Sequence, residues 1–186
     1  MPDSDALYLG IDVGSVSTNL TLIDDHGQIH YKEYLRTQGQ PIPVVQGGLA
    51  GIARVMPGIQ IKAVGTTGSG RQLAGAIVGA DIVKNEITAH AVAATHFQPD
   101  VQTVIEIGGQ DSKIIILREG VVTDFAMNTV CAAGTGSFLD QQAARLGIPI
   151  ADFGEIALRS HNPVRIAGRC TVFAESDMIH KQQVGH

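Results

Sequence analysis

Leu7-Tyr8-Leu9-Gly10-Ile11-Asp12-Val13-Gly14-Ser15-Val16-Ser17-Thr18 decides the fold: an apolar run ends on an acid and a glycine, and a short hydroxyl-rich turn follows. Leu20 to Ile23 reads as a second strand. After Asp24-Asp25-His26-Gly27, a third strand runs from Gln28 to Tyr34, giving a three-stranded meander. Backbone N–H groups in the first turn, helped by Ser15, Ser17 and Thr18, can cradle phosphate oxygens, and Asp12 can hold a magnesium ion through water. A plain Gly/Ser hairpin turn accounts for the same residues and is the commoner origin of such a stretch.

The pattern returns 94 residues later. That offset lays Ile11-Asp12-Val13-Gly14 on Ile105-Glu106-Ile107-Gly108, Leu20 on Ile114 and Leu22 on Ile116. The meander recurs as Val104 to Ile107, Lys113 to Leu117 and Val121 to Ala126, with Arg118-Glu119-Gly120 as its second turn. A duplicated strand–turn–strand unit is stronger evidence than either copy alone. Two lobes facing each other would set Gly14-Ser15-Val16-Ser17 and Gly108-Gly109-Gln110-Asp111 on opposite sides of one cleft, a geometry that clamps nucleotide phosphates. Phosphoryl transfer needs positioning, charge neutralisation and an oriented nucleophile. The acids available are Asp12, Glu106 and Asp111, and Gln110 can orient water. Lys113 is the cation of the two turns, with a solvated strand position as its alternative explanation.

Between the copies, Pro43 to Met56 has Val44, Val45, Leu49, Ile52 and Val55 at helical spacing, and Pro57-Gly58 stops it. A strand from Ile61 to Gly65 leads into Thr66-Thr67-Gly68-Ser69-Gly70-Arg71, a loop that either lines a site or is a plain connection. Asp81 to Val83 is a short strand, Ile87 to Phe97 a helix beginning near Asn85-Glu86, and Gln98-Pro99-Asp100 a linker. The expected halves are residues 1–98 and 99–186, the first with phosphate turn one, the second with phosphate turn two and both cysteines.

Composition narrows the partners. With 186 residues and 44% hydrophobic content the chain can bury a real core, and a net charge of -5 without a lysine or arginine run offers no footprint for nucleic acid or anionic membrane. Met1-Pro2-Asp3-Ser4-Asp5 lacks the layout of a signal peptide, and no apolar run approaches membrane-spanning length, so the expected location is the cytoplasm. Seven histidines are scattered without metal-ligand spacing.

The two cysteines share one setting. Cys131 lies in Val130-Cys131-Ala132-Ala133-Gly134-Thr135-Gly136-Ser137, ahead of a predicted helix, and Cys170 precedes Thr171-Val172-Phe173-Ala174-Glu175-Ser176-Asp177-Met178-Ile179, which also opens one. Helix N-termini stabilise thiolates. In a reducing compartment such cysteines are buried residues or ligands more often than a disulfide.

Gly10-Ile11-Asp12-Val13-Gly14-Ser15, Val104-Ile105-Glu106-Ile107-Gly108-Gly109-Gln110-Asp111-Ser112-Lys113, Met127-Asn128 with the Cys131 stretch, and Cys170-Thr171-Val172-Phe173-Ala174-Glu175-Ser176 together resemble the ATPase activators of 2-hydroxyacyl-CoA dehydratases and the related ATPase subunits of benzoyl-CoA reductases. The resemblance is collinear over nearly the whole chain. The first hairpin is most similar to long members in which the activator is fused to further domains.

The resemblance implies an α/β, actin-like ATPase fold with two ribonuclease-H-like lobes, shared with sugar kinases and heat-shock chaperones. It implies ATP/ADP and Mg2+ as ligands, Asp12 and Glu106 holding the magnesium, and Glu106, Gln110 and Asp111 serving hydrolysis. Nucleotide contacts fall on Gly14, Ser15, Val16, Ser17, Thr18, Gly108, Gly109, Gln110, Lys113, Gly134, Thr135 and Gly136. It further implies a homodimer holding one [4Fe–4S] cluster on Cys131 and Cys170 and passing an electron to a dehydratase or reductase partner. Four thiolates commonly hold such a cluster, and two copies of a chain with two cysteines supply four.

Two departures stand out. Val16 and Asn19 occupy positions where many relatives carry threonine and lysine, so any phosphate contact of that lysine must come from elsewhere, Lys113 being one candidate. On the family pattern the second lobe should also continue past the helix begun near Glu175 into a glycine-rich segment for adenine and ribose. The expectation is therefore a truncated second lobe with exposed apolar surface and a weakened adenosine site. An actin-like sugar or small-molecule kinase is the alternative function, although it gives the cysteines no reason to sit at helix starts. A truncated, non-catalytic lobe is a third.

Overall fold

The computed structural model describes residues 6–128 and 135–186. In chain order its elements are β1 (Ala6–Val13), β2 (Ser17–Ile23), β3 (Ile29–Arg36), α1 (Pro41–Val55), β4 (Gln60–Thr67), α2 (Arg71–Val78), β5 (Ile82–Val83), α3 (Glu86–Phe97), β6 (Thr103–Ile107), β7 (Ser112–Arg118), β8 (Val121–Met127), α4 (Gly136–Leu146), α5 (Ile150–Leu158) and α6 (Thr171–Gln183). They form two compact units. One comprises residues 1–102 with 116–123, the other residues 103–115 with 124–186.

The first unit contains a five-stranded sheet in the order β3-β2-β1-β4-β5. β1, β2 and β3 are antiparallel neighbours, which is the meander expected from the sequence. β4 then runs parallel to β1, and β5 parallel to β4, each reached by a crossover that includes a helix, as parallel pairing requires. Period-two alternation buries Leu7, Leu9, Ile11 and Val13 of β1 together with Leu20 and Leu22 of β2, leaving Asp12 on the opposite side of its strand.

α1 covers this core through Val45, Gly48 and Ile52. Gly48 allows the close approach, because a Cβ there would stand 2.7 Å from Leu20 Cδ1. Val55, expected on the apolar stripe, is 65% exposed because it falls one residue off the line through Ile52. α2 was not legible as a helix. It is short, buries only Ala74 and Gly75, and stops at Gly79 in the left-handed conformation. α3 begins where the sequence placed it, with Asn85 Oδ1 accepting the Thr88 N–H at 2.8 Å.

The second three-stranded sheet has the order β6-β7-β8. The β7–β8 tip belongs with the first unit, where Leu117 N–H donates to Gln102 O at 2.8 Å and Arg118 Nη1 to Gln102 Oε1 at 3.1 Å. In the second unit Ile115, Phe138, Ala143 and Ala174 are buried, and Arg145 Nη1 of α4 donates to Gln182 Oε1 of α6 at 3.0 Å. α5 adds a helix that the sequence did not single out. Among the described residues, no helix is long and apolar enough to cross a membrane.

Candidate functional site

The first turn is closed by Gly14 N–H donating to Ser17 O at 2.8 Å. Thr37, the residue after β3, braces it from behind. Its hydroxyl donates to Gly14 O at 2.9 Å and its N–H to Val16 O at 2.9 Å. Thr18 and Thr37 share a further hydroxyl–hydroxyl bond of 3.0 Å. Thr18 is fully buried, since the alternation of β2 turns it inward with Leu20 and Leu22. Its hydroxyl, expected in the cradle, bonds to Thr37 as part of the brace. Ser15 is exposed, while Asp12, Gly14, Val16 and Ser17 are partly so. Asn19 Nδ2 donates to Asp12 Oδ2 at 3.4 Å.

The β4–α2 loop reaches the same place. Thr67 is level with Asp12 in the parallel register. Gly70 N–H donates to Val13 O at 2.8 Å, and Ser69 Oγ donates to the same carbonyl at 3.4 Å. Gly68, at a φ of +89°, approaches so closely that an added Cβ would collide with Asp12 Oδ1 and Val13 O. The loop that the sequence left open as a site lining or a plain connection packs against the acid at the end of β1.

The second turn repeats the first in its closure, Gly108 N–H donating to Asp111 O at 2.8 Å. Its electrostatics differ. Lys113 Nζ donates to Glu106 Oε2 and Asp111 Oδ1, each at 3.0 Å, and Lys113 is only 5% exposed, so it is not a solvated strand residue. Burying an ammonium is tolerable when charged partners and hydrogen bonds surround it. Asn128, the residue after β8, braces this turn much as Thr37 braces the other: its Oδ1 accepts Ser112 N–H at 2.6 Å, and its own N–H donates to Ser112 O at 3.1 Å. Gln110 is exposed.

α4 starts on this turn. Gly136 N–H donates to Gly108 O and Ser137 N–H to Gly109 O, both at 2.8 Å, and Ser137 Oγ also bonds Gly109 O. Thr135, the fully buried N-cap, completes the group. The structure thus brings Gly108, Gly109, Thr135 and Gly136 together, with two N–H groups at the start of α4 already holding protein carbonyls. Gln142 of α4 is buried, its Oε1 accepting from Arg145 Nε at 2.9 Å and its Nε2 without a partner among the described residues.

Cys131 and Gly134 lie outside the described residues. Cys170 is a partly exposed free thiol at the N-cap of the 13-residue α6. Among the described residues no group of three or more His, Cys, Asp and Glu side chains could hold a metal ion.

A family profile, the BadF/BadG/BcrA/BcrD ATPase family, matches residues 9–186. The chain belongs to this family. It is 37% identical over 182 residues to the (R)-2-hydroxyglutaryl-CoA dehydratase activating ATPase of Acidaminococcus fermentans, covering 95% of this chain and 68% of that protein. It is 36% identical over 178 residues to a 2-hydroxyisocaproyl-CoA dehydratase activator of Clostridioides difficile, covering 92% of this chain and 64% of that one. The chain therefore spans about two thirds of each relative's length.

Solved structures agree. The crystal structure of component A of the Acidaminococcus fermentans (R)-2-hydroxyglutaryl-CoA dehydratase matches with a TM-score of 0.85 at 34% identity, over 98% of this chain and 70% of that one. The Clostridium difficile 2-hydroxyisocaproyl-CoA dehydratase activator, solved with bound ADPNP, matches with a TM-score of 0.81 at 33% identity, over 97% of this chain and 67% of that one. A Streptomyces griseus ROK family glucokinase, at 16% identity and a TM-score of 0.51 over 97% of this chain and 72% of that one, shares the fold alone. The fold is accordingly that of the actin-like ATPases, and the family is the one its motifs resembled.

Thr37 escaped the sequence reading, and the individual contacts of Gly68 and Ser137 were not foreseen although both lie in stretches that it named. Thr37 gave no signal beyond following a strand. Gly68 lay in a loop already under suspicion, and only its contact with Asp12 shows why it must be glycine.

Proposed function

We propose that this chain is an ATP-hydrolysing iron–sulfur activator that delivers a low-potential electron to a 2-hydroxyacyl-CoA dehydratase or a related CoA-thioester reductase. The duplicated turn is the observation that carries the reading: Gly14 to Ser17 and Gly108 to Asp111 close with the same 2.8 Å bond beside an acid at a strand end. Such turns gather backbone N–H groups toward phosphate oxygens. Ser15, Val16 and Ser17 serve the first turn, and Gly108, Gly109 and Gln110 the second. Thr135 and Gly136 fix the second turn against α4. Asp12 suits magnesium as a half-buried carboxylate at the carboxyl end of β1 beside the first turn. Glu106 fits the metal less well, since Lys113 already neutralises it and Asp111. These two acids and the exposed Gln110 orient the attacking water.

Cys170, with Cys131, would hold a [4Fe–4S] cluster shared between two copies of the chain. Bound there, the cluster supplies a one-electron carrier. Cys170 meets the chemical requirement, a partly exposed free thiol at the start of α6, where a metal can reach it. The names of the relatives support the partner class, a dehydratase, and the cytoplasm is where such enzymes meet their CoA thioesters. Anaerobic purification tests the reading. A brown dimer with about four irons per pair of chains and ATPase activity is expected, with iron lost in Cys170→Ala. A colourless monomer without iron, or one that consumes ATP only when a sugar is added, would overturn it.

A further inference from the structure

We propose that Arg71 is the phosphate-binding cation of the first unit, presented by the β4–α2 loop beside Asp12. The inference rests on the nucleotide reading above and adds a residue to it. From Asp12 to Asn19 the chain contains no lysine or arginine. A polyphosphate held there by hydroxyls and amides alone would lack the positive side chain that phosphate sites commonly use. Lys113 does not fill the role, being buried between Glu106 and Asp111.

The loop has the right address. β1 and β4 are parallel, so their carboxyl ends lie at one edge of the sheet, the edge where α/β folds bind ligands. Thr67 sits level with Asp12, and Gly68 is pressed against that carboxylate. Arg71 is tethered to the same glycine: its Nη1 donates to Gly68 O at 3.0 Å, and its N–H donates to that oxygen at 3.2 Å. Thr66 Oγ1 fixes the Arg71 carbonyl at 3.0 Å.

The guanidinium still has capacity. It carries five N–H donors in a planar fork, and among the described residues it makes one hydrogen bond and no ion pair. Its partial exposure leaves it open to a ligand. Lys62, near the other end of β4, shows the contrasting case of a cation spent on protein, bonded to Asp25 at 3.1 Å. A second donor on the loop points the same way. Among the described residues Thr67 Oγ1 is buried without a partner, and a buried hydroxyl is normally completed by something. A bound phosphate or a water on its metal would do so.

Isothermal titration of the full chain with MgATP, MgADP and adenosine tests this. Arg71→Gln should weaken MgATP binding roughly tenfold to a hundredfold, the range for a hydrogen bond to a charged group, and leave adenosine binding unchanged. Arg71→Lys, which keeps the charge and loses the fork, should fall between. Lys62→Gln removes a charge at the other end of the strand and should bind like the wild type. If wild-type protein binds MgATP and Arg71→Gln binds it equally well, or loses adenosine to the same degree, the inference fails while the nucleotide reading stands. If the wild type binds no nucleotide, both fall. A readout independent of any variant is phenylglyoxal modification of wild-type Arg71: MgATP should protect it and adenosine should not, and an Arg71 that reacts equally under both would overturn the assignment.

Discussion

Ile11 and Val13 are 1% and 2% exposed, whereas Ile105 and Ile107, their counterparts 94 residues on, are 70% and 59% exposed. Identical local patterns have thus produced the same strand and turn with opposite burial. β1 is flanked by β2 and β4 and covered by α1, while β6 is an edge strand among the described residues. Sequence dictates the element, and neighbours dictate what it buries. The acids differ for a more local reason. Asp12 faces the neutral Asn19 at 3.4 Å, and Glu106 faces Lys113, at the position equivalent to Asn19, at 3.0 Å. One substitution between copies converts a polar contact into a buried ion pair with a second acid attached.

The most forceful way to break this comparison is Lys113→Met, which leaves Glu106 and Asp111 facing each other without a counter-charge. Removing one partner of a buried pair costs about 3–5 kcal/mol, and the low end applies because the Asp111 side chain is 37% exposed and water screens it. In the first turn, Asn19→Ala removes one long neutral bond and should cost about 0.5–1 kcal/mol. Hydrogen exchange read separately at β6–β7 and β1–β2 amides measures each loss without treating the chain as one two-state unit. Equal losses would mean that the turns are electrostatically alike.

The duplication was legible because it repeats residue types at a fixed offset, and the equal turn closures are its physical expression. The meander and α3 were legible for the same kind of reason, a local pattern with a local cap. What escaped depends on contacts distant in sequence. Thr37 reaches Gly14 across 23 residues, and Ser137 reaches Gly109 across 28. The burial of Thr18 was not legible because strand parity, which only the observed register fixes, decides whether its hydroxyl faces the turn or the core. α2 was missed because eight residues with a glycine among them give too short a stripe to recognise.

The glycines that contact each turn sharpen the comparison at a smaller scale. A side chain at Gly68 meets Asp12 and a backbone carbonyl in a left-handed conformation, whereas one at Gly136 would lie 3.3 Å from Gly108 O and need only slight adjustment. Gly68→Ala should destabilise by about 2 kcal/mol, and Gly136→Ala by less than about 1 kcal/mol, since alanine also favours the helix. Tyr8, Tyr31 and Tyr34 all lie in the first unit, so a tyrosine-fluorescence melt should register Gly68→Ala and barely register Gly136→Ala. A melt unchanged by Gly68→Ala would show that the loop is free to leave Asp12.

The hairpin tips supply the smallest contrast. In the first meander, Asp24 Oδ1 accepts the His26 and Gln28 N–H groups at 2.9 Å each, and Oδ2 is bonded to His30 Nε2 at 2.9 Å. The hydrogen bond with His30, followed by that from Gln28 N–H, lowers the Asp24 pKa to about 2 from 3.8. In the second meander, Glu119 and Gly120 take positive φ values of 50° and 75°, so backbone conformation alone turns the chain. A depressed carboxylate pKa means that the contribution is complete above about pH 4 and is lost as pH falls toward 2. The amide proton shifts of His26 and Gln28 should therefore move between pH 4 and 2 while those of Gly120 and Val121 stay constant, and Asp24→Asn should abolish the movement. Parallel shifts at both tips would instead point to general acid unfolding, with no separate role for Asp24.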